Sequence, residues 1–254
     1  MKSLADLKLL ILRPFLQNLK NPTWLVVGLS VPIMYLLLFM PLLNRLAGGP
    51  GFPTSHVIQL FLPGILALLA FGSATGVGFG MIFWIRNGFI ERMRVTPANR
   101  FALLMGPVFS GIAWSLIFIT LILVISLFFG FKIHLVGLLI FALLLILLMA
   151  IFASFFTSLA IIAKGQISTL AAIANGINLP ILLLAGVMLP LTLAPHWMRI
   201  LAYINPLYYV VSAGRALAIG QIGVHSVELA FTVMIPLTAL VVWWSMRIYK
   251  KAVA

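Results

Sequence analysis

Side chains able to carry chemistry are scarce in this sequence, and their spacing suits none of the usual reactions. The three carboxylates, Asp6, Glu91 and Glu228, stand far apart, and none falls inside a long apolar run. General acid–base catalysis needs titratable groups within hydrogen-bond reach of one reacting atom, and no such grouping is legible. Four histidines, His56, His134, His196 and His225, have no i, i+4 partner and no neighbouring carboxylate. Metal ligation is therefore not expected. The absence of cysteine removes thiolate nucleophiles, disulfides and thiolate metal sites. No Gly-Lys dipeptide occurs, so the loop that cradles nucleotide phosphates is missing. A proton-driven carrier places a carboxylate or histidine near the middle of the membrane, and none sits mid-span here. The expectation is a chain that is no enzyme, binds no cofactor itself, and takes any driving energy from a partner.

What surrounds these few residues is a lipid-soluble frame. Of 254 residues 64% are hydrophobic and 7% charged, and the mean hydropathy is +1.24; soluble domains are about one-quarter charged. The net charge of +13 would suit nucleic acid only if the basic residues shared a water-exposed face. Such a face is scarce, so no nucleic-acid partner is expected. Uncharged stretches of 24, 40, 31, 31, 34 and 18 residues follow Lys20, Arg45, Arg100, Lys132, Lys164 and Glu228. About 20 apolar helical residues cross a bilayer, so each stretch holds one crossing. The expected spans are Trp24–Leu43, Val57–Trp84, Leu103–Phe129, Leu135–Ala163, Leu170–Leu189 and Leu229–Met246. A β-barrel would alternate apolar and polar residues, which Leu138–Ala153 does not.

Basic residues are held on the cytoplasmic side. With the N-terminus inside, twelve Lys and Arg lie in inner segments and only Arg45, Lys132, Arg199 and Arg215 in outer ones. Both termini are thus expected in the cytoplasm of a cell (inner) membrane protein, with no cleaved signal peptide.

Three segments do not read as spans. Residues 1–22 place Leu4, Leu7, Ile11, Leu12, Phe15 and Leu19 on one arc of a helix and Lys2, Asp6, Arg13, Gln17 and Lys20 on the other, the pattern of an interfacial helix. Residues 86–98 form the most polar loop, where Phe89, Ile90 and Met93 make an apolar stripe among Arg86, Glu91, Arg92 and Arg94, and Pro97 stops any helix. This reads as a short cytoplasmic helix that docks on another protein, or as a plain positive-inside loop. Residues 190–222 are apolar but broken by Pro190, Pro195, Pro206, Gly214 and Gly220. Two short helices, His196–Ile204 and Leu207–Ile219, are expected to enter the bilayer from outside and return, with Arg199 and Arg215 at its boundary or in a wet cavity.

Within the spans, Gly72, Gly76 and Gly80 line one face and permit close helix approach. The face could pack within the chain, form a seam between copies, or move as a gate. Asn175 and Asn178 could contact a substrate or bond a neighbouring helix. Phe71 and Phe79, with Phe61 and Phe83, could line an apolar path or lie in the core.

Four ordered landmarks carry a family resemblance. They are Lys20-Asn21-Pro22; Phe61-Leu62-Pro63-Gly64-Ile65; Gly88-Phe89-Ile90-Glu91-Arg92-Met93-Arg94-Val95-Thr96-Pro97; and a C-terminal set, Ala185 to Pro190, Leu193 to Trp197, Asn205 to Tyr209, and Arg215. Together they resemble the permease subunits of ABC-2-type (type V) ABC exporters, across nearly the whole chain. The resemblance implies a single all-α membrane domain over 1–254, of six transmembrane helices with an N-terminal interfacial helix and two re-entrant helices between spans five and six. It implies dimerisation with a second copy or homologous half, and two separate cytoplasmic ABC ATPase subunits that bind ATP and Mg. By the same resemblance Arg86, Gly88, Phe89, Glu91, Arg92, Arg94 and Pro97 couple to the ATPase. Pro190, Pro195, Trp197, Asn205, Pro206, Tyr208 and Arg215 belong to an outer gate. Relatives export drugs, other amphiphiles or lipid-linked polysaccharides. The short outer loops favour a hydrophobic or amphiphilic small molecule, as in multidrug efflux; a polysaccharide, or an ATP-independent channel or carrier, is the alternative.

Overall fold

The computed structural model describes residues 22–46, 57–88, 100–187, 191 and 194–253. The helix expected over residues 1–22 lies outside them except for Pro22, which opens α1, and Phe89, Glu91, Arg92, Arg94, Pro97 and Pro190 lie outside them too. All regular structure among the described residues is helical: α1 (Pro22–Leu46), α2 (Val57–Arg86), α3 (Arg100–Leu127), α4 (Leu135–Ile162), α5 (Ile167–Leu184), α6 (His196–Ala202), α7 (Pro206–Ala218) and α8 (His225–Val253). In a bilayer every backbone N–H and C=O must be satisfied within the protein, and a helix does this by itself. Among the described residues five helices are long and apolar enough to cross a membrane: α2, α3, α4, α5 and α8. The chain is a multi-pass membrane protein. α1 carries a shorter described apolar stretch, Gly28–Leu38.

Most helix ends fall within three residues of the sequence reading, and the larger departures are at α5 and α8. α5 ends at Leu184 rather than near Leu189, because Ala185 and Gly186 turn away with Gly186 at φ +64°. α8 starts at His225 and runs on through Lys250 and Lys251, since charged side chains at a helix end reach water without breaking backbone hydrogen bonds. Pro63 does not interrupt α2, which is continuous from Val57.

α2 and α4 run in the same direction. Arg86, the last residue of α2, bonds to Gly165 in the turn between α4 and α5, so both turns lie at one end of the bundle. At the opposite end α7 meets the start of α2 through Arg215 and Leu60, and the approach to α4 through His134 Nδ1 and the Ala218 carbonyl, 3.1 Å apart.

α4 is the central helix, packed on α2, α8, α7 and α3. With lipid on the outside there is little hydrophobic drive between helices, so close backbone approach and interhelical hydrogen bonds hold such bundles. Both occur on α4. A side-chain carbon added at Gly78 of α2 would fall 2.6 Å from Phe156 Cβ, and one at Gly137 would fall 2.5 Å from the Leu217 carbonyl oxygen. Ser158 Oγ donates to Ser245 Oγ at 2.6 Å, and Ser245 Oγ in turn reaches the Ser154 carbonyl at 3.1 Å, tying α4 to α8. Phe71 meets Phe152 edge-to-face at 4.7 Å in the same core.

Candidate functional site

Three neighbourhoods hold the residues that the sequence singled out. The first is built on α7. Asn205 caps this helix: its side-chain oxygen accepts from Leu207 N at 3.0 Å, and Pro206 supplies the first helical residue, where no N–H is needed. The Asn205 amide also donates to the Ile181 carbonyl at 2.7 Å, which fastens the start of α7 to α5. From the other end of α7, Arg215 donates through Nε to the Leu60 carbonyl at 3.0 Å and through Nη2 to the carbonyls of Gly186 and Val187. One guanidinium therefore ties α7 to α2 and to the turn after α5. Burial pulls its pKa down to about 10, with Tyr208 acting in the opposite sense. It remains cationic at neutral pH, its charge met by carbonyl dipoles.

The remaining outer-gate residues are less enclosed. Pro195 precedes α6, and Trp197 on that helix is 62% exposed. Arg199 donates through Nε to the Ala194 carbonyl at 2.9 Å. Tyr208 meets Tyr203 and Tyr209 edge-to-face at 5.7 and 5.4 Å. Together with Ser212, His225, Ser226 and Leu229 the three tyrosines line a cavity of about 220 Å³ between α7 and the start of α8. Its lining can donate and accept hydrogen bonds and carries no carboxylate.

The second neighbourhood is the exposed surface of α2 and α5. Gly72, Gly76 and Gly80 are exposed, and a side-chain carbon added at any of them would meet nothing within 4 Å among the described residues. Close packing inside the chain falls instead to Gly64, Gly78, Gly111, Gly137 and Gly214. α5 is similarly bare. Only Leu170 and Ala174 are buried along its length, while Asn175, Gly176, Asn178 and Leu179 are exposed. Phe79 packs partly against the core and Phe83 is 65% exposed, whereas Phe61 and Phe71 are core residues.

The third neighbourhood is the opposite end of the bundle. α2 stops at Arg86, the Gly88 N–H bonds to the Ile85 carbonyl, and Gly88 takes φ +66°, the left-handed conformation that ends many helices. Of the segment expected to couple to a partner, only Arg86, Asn87 and Gly88 are described. Arg86 Nε donates to the Gly165 carbonyl at 2.9 Å.

Residues 5–219 match the family model described as ABC-2 type transporter. The chain belongs to that family. Relatives agree: "Putative transport permease ycf38" of Cyanophora paradoxa is 28% identical over 215 residues, 84% of this chain and 74% of that protein. The protein of the same name from Pyropia yezoensis is 29% identical over 217 residues, again 84% and 74% of the two chains. "Inner membrane transport permease YadH" of Escherichia coli K12 is 27% identical over 220 residues, 78% of this chain and 75% of that one. The resemblance drawn from the four landmarks is thus upheld. As an ABC-2 family member the chain is the membrane permease of an ABC transporter and not an enzyme, and membership implies an ABC ATPase partner.

Sequence reasoning did not find the Ser154–Ser158–Ser245 tie, the contact of His134 with Ala218, or Gly165. Small residues within apolar runs look alike until their neighbours are known, and only the single polar residue Ser245 between Trp244 and Met246 hinted at the tie.

Proposed function

We propose that this chain is one half of an ATP-driven exporter for a hydrophobic or amphiphilic small molecule. Two copies, or this chain and a homologous half, face each other across the open side formed by α2 and α5, and the passage runs between them. The observation that carries the reading is that bare side. A hydrogen-bonding amide facing hydrocarbon without a partner costs on the order of 2 kcal/mol or more, and polar residues within spans face a protein interior or a wet cavity. Asn175 and Asn178 sit exposed on α5, next in kind to the uncovered glycines of α2. A second copy would enclose both.

In this reading α1 is a sixth span, both termini are cytoplasmic in a cell (inner) membrane, residues 1–22 lie at the interface, and α6 and α7 form a re-entrant outer gate. Two cytoplasmic ATPase subunits supply ATP and Mg, and their closure pushes the segment 86–98, with Glu91, Arg92 and Arg94 at the contact. The test is transport by the chain reconstituted with its ATPase in proteoliposomes, read with an amphiphilic dye. ATP-dependent uphill movement is expected, and Gly76→Leu should abolish it and the cross-linked permease pair together. Uphill pumping by the permease alone would refute the reading. Export of a lipid-linked polysaccharide is the second reading, favoured by the tyrosine-lined cavity of about 220 Å³, whose hydroxyls and rings suit sugars; uptake of dye unaffected by the transporter would favour it.

A further inference from the structure

α5 is joined to the remainder of the bundle chiefly at its ends. Its middle buries little, and only Leu170 and Ala174 are enclosed. At one end Asn205 holds the Ile181 carbonyl, and Arg215 holds the carbonyls of Gly186 and Val187. At the other end stands a single long-range side-chain hydrogen bond among the described residues, from Arg86 Nε to the Gly165 carbonyl at 2.9 Å. Gly165 immediately precedes Gln166, the N-cap of α5. Its backbone is left-handed, φ +76°, and follows Lys164 at φ +48°. This turn aims the carbonyl at Arg86 and leaves room for Ile85: a side-chain carbon on Gly165 would lie 3.1 Å from Ile85 Cγ2.

Arg86 is also the last residue of α2, two positions before the chain leaves the helix at Gly88. Any displacement of the following polar segment is felt first at this residue. We infer that Arg86 is a positioning residue that passes movement of segment 86–98 sideways to α5, by holding the Gly165 carbonyl rather than by touching the ATPase. The guanidinium suits this role, since a charge-assisted bond to a carbonyl is stronger than a neutral one, and a cation is favoured at the C-terminal end of a helix. α5 is free to respond, because little packing along its length resists a tilt. The inference rests on the proposal that segment 86–98 meets the ATPase.

The absence of native cysteine permits a direct test. Spin labels at Ala172→Cys on α5 and Lys250→Cys on α8, both exposed positions, report the α5–α8 separation in the chain assembled with its ATPase in lipid nanodiscs. Dilution with unlabelled chain isolates the distance within one copy. ATP with vanadate is expected to shift the distance in the native background. Arg86→Gln should remove the shift while the ATPase still co-purifies, and Arg86→Lys, which keeps the charge and one donor, should retain it. Gly165→Ala, strained at its positive φ, should reduce the shift through the other partner of the same bond. An Arg86→Gln chain that shifts as the native one does overturns the inference. So does loss of ATPase co-purification in that variant, because Arg86 would then be a docking contact. If the native chain shows no nucleotide-dependent shift, the inference falls together with the reading on which it rests, and this is seen before any substitution at Arg86 is made.

Discussion

α4 and α5 follow one another in the chain, are both apolar enough to cross a membrane, and are treated in opposite ways by the fold. α4 is buried against four neighbours, with glycine contacts to α2 and α7 and a serine tie to α8. α5 buries only Leu170 and Ala174, against fifteen residues of α4, and holds to the bundle by hydrogen bonds at its ends. The difference separates a scaffold from an element that can move or meet a second chain. The polar groups differ as well: Thr157 and Ser158 of α4 are buried and hydrogen-bonded, whereas Asn175 and Asn178 of α5 are exposed.

The comparison can be broken most forcefully in the scaffold. Gly78→Leu should drive α2 off Phe156 and cost upwards of about 3 kcal/mol, the high end for overpacking, read as loss of the folded monomer in detergent by size exclusion and thermal unfolding. Arg215→Met comes next. It strands carbonyls at Leu60, Gly186 and Val187, for a loss of about 2 to 3 kcal/mol, and a melting temperature within error of the native one would show that α7 is held by packing alone. Ser245→Ala removes the α4–α8 tie and should cost about 1 kcal/mol, measured by the same unfolding assay. The smallest effect on the lone chain belongs to the open side: Asn178→Leu should leave monomer stability within about 0.5 kcal/mol yet weaken pairing of two copies in a cross-linking assay. Marked destabilisation of the monomer by Asn178→Leu would mean that α5 is scaffold after all.

Much of this was legible beforehand because it depends on chain composition alone. Runs of uncharged residues longer than a bilayer is thick are helices wherever they sit, and the expected ends of the span before Ala163 and of the helix around Leu207 to Ile219 match α4 and α7 closely. Pro195 and Pro206 marked the starts of α6 and α7, since a helix start needs no N–H from its first residue. Arg215 was visible as a charge in an apolar segment, and Asn205 through the family resemblance. Their partners were not, because a backbone carbonyl has no signature in sequence: Ile181, Leu60 and Gly165 are indistinguishable there from their neighbours. The glycines mislead for a similar reason. The regular stripe Gly72, Gly76 and Gly80 reads as a packing face, yet isolated Gly78 and Gly137 do the packing inside the chain.

Composition and charge by themselves determined that this chain lives in a membrane as helices and carries no nucleotide-binding loop of its own, because transfer of apolar surface and the positioning of basic residues depend on residue type and order. Which helix became the scaffold and which stayed bare was decided only in three dimensions. Close approach requires a small residue opposite a particular neighbour, and a hydrogen bond requires a donor within about 3 Å of a particular carbonyl; both are properties of pairs of residues, which a linear chain does not specify.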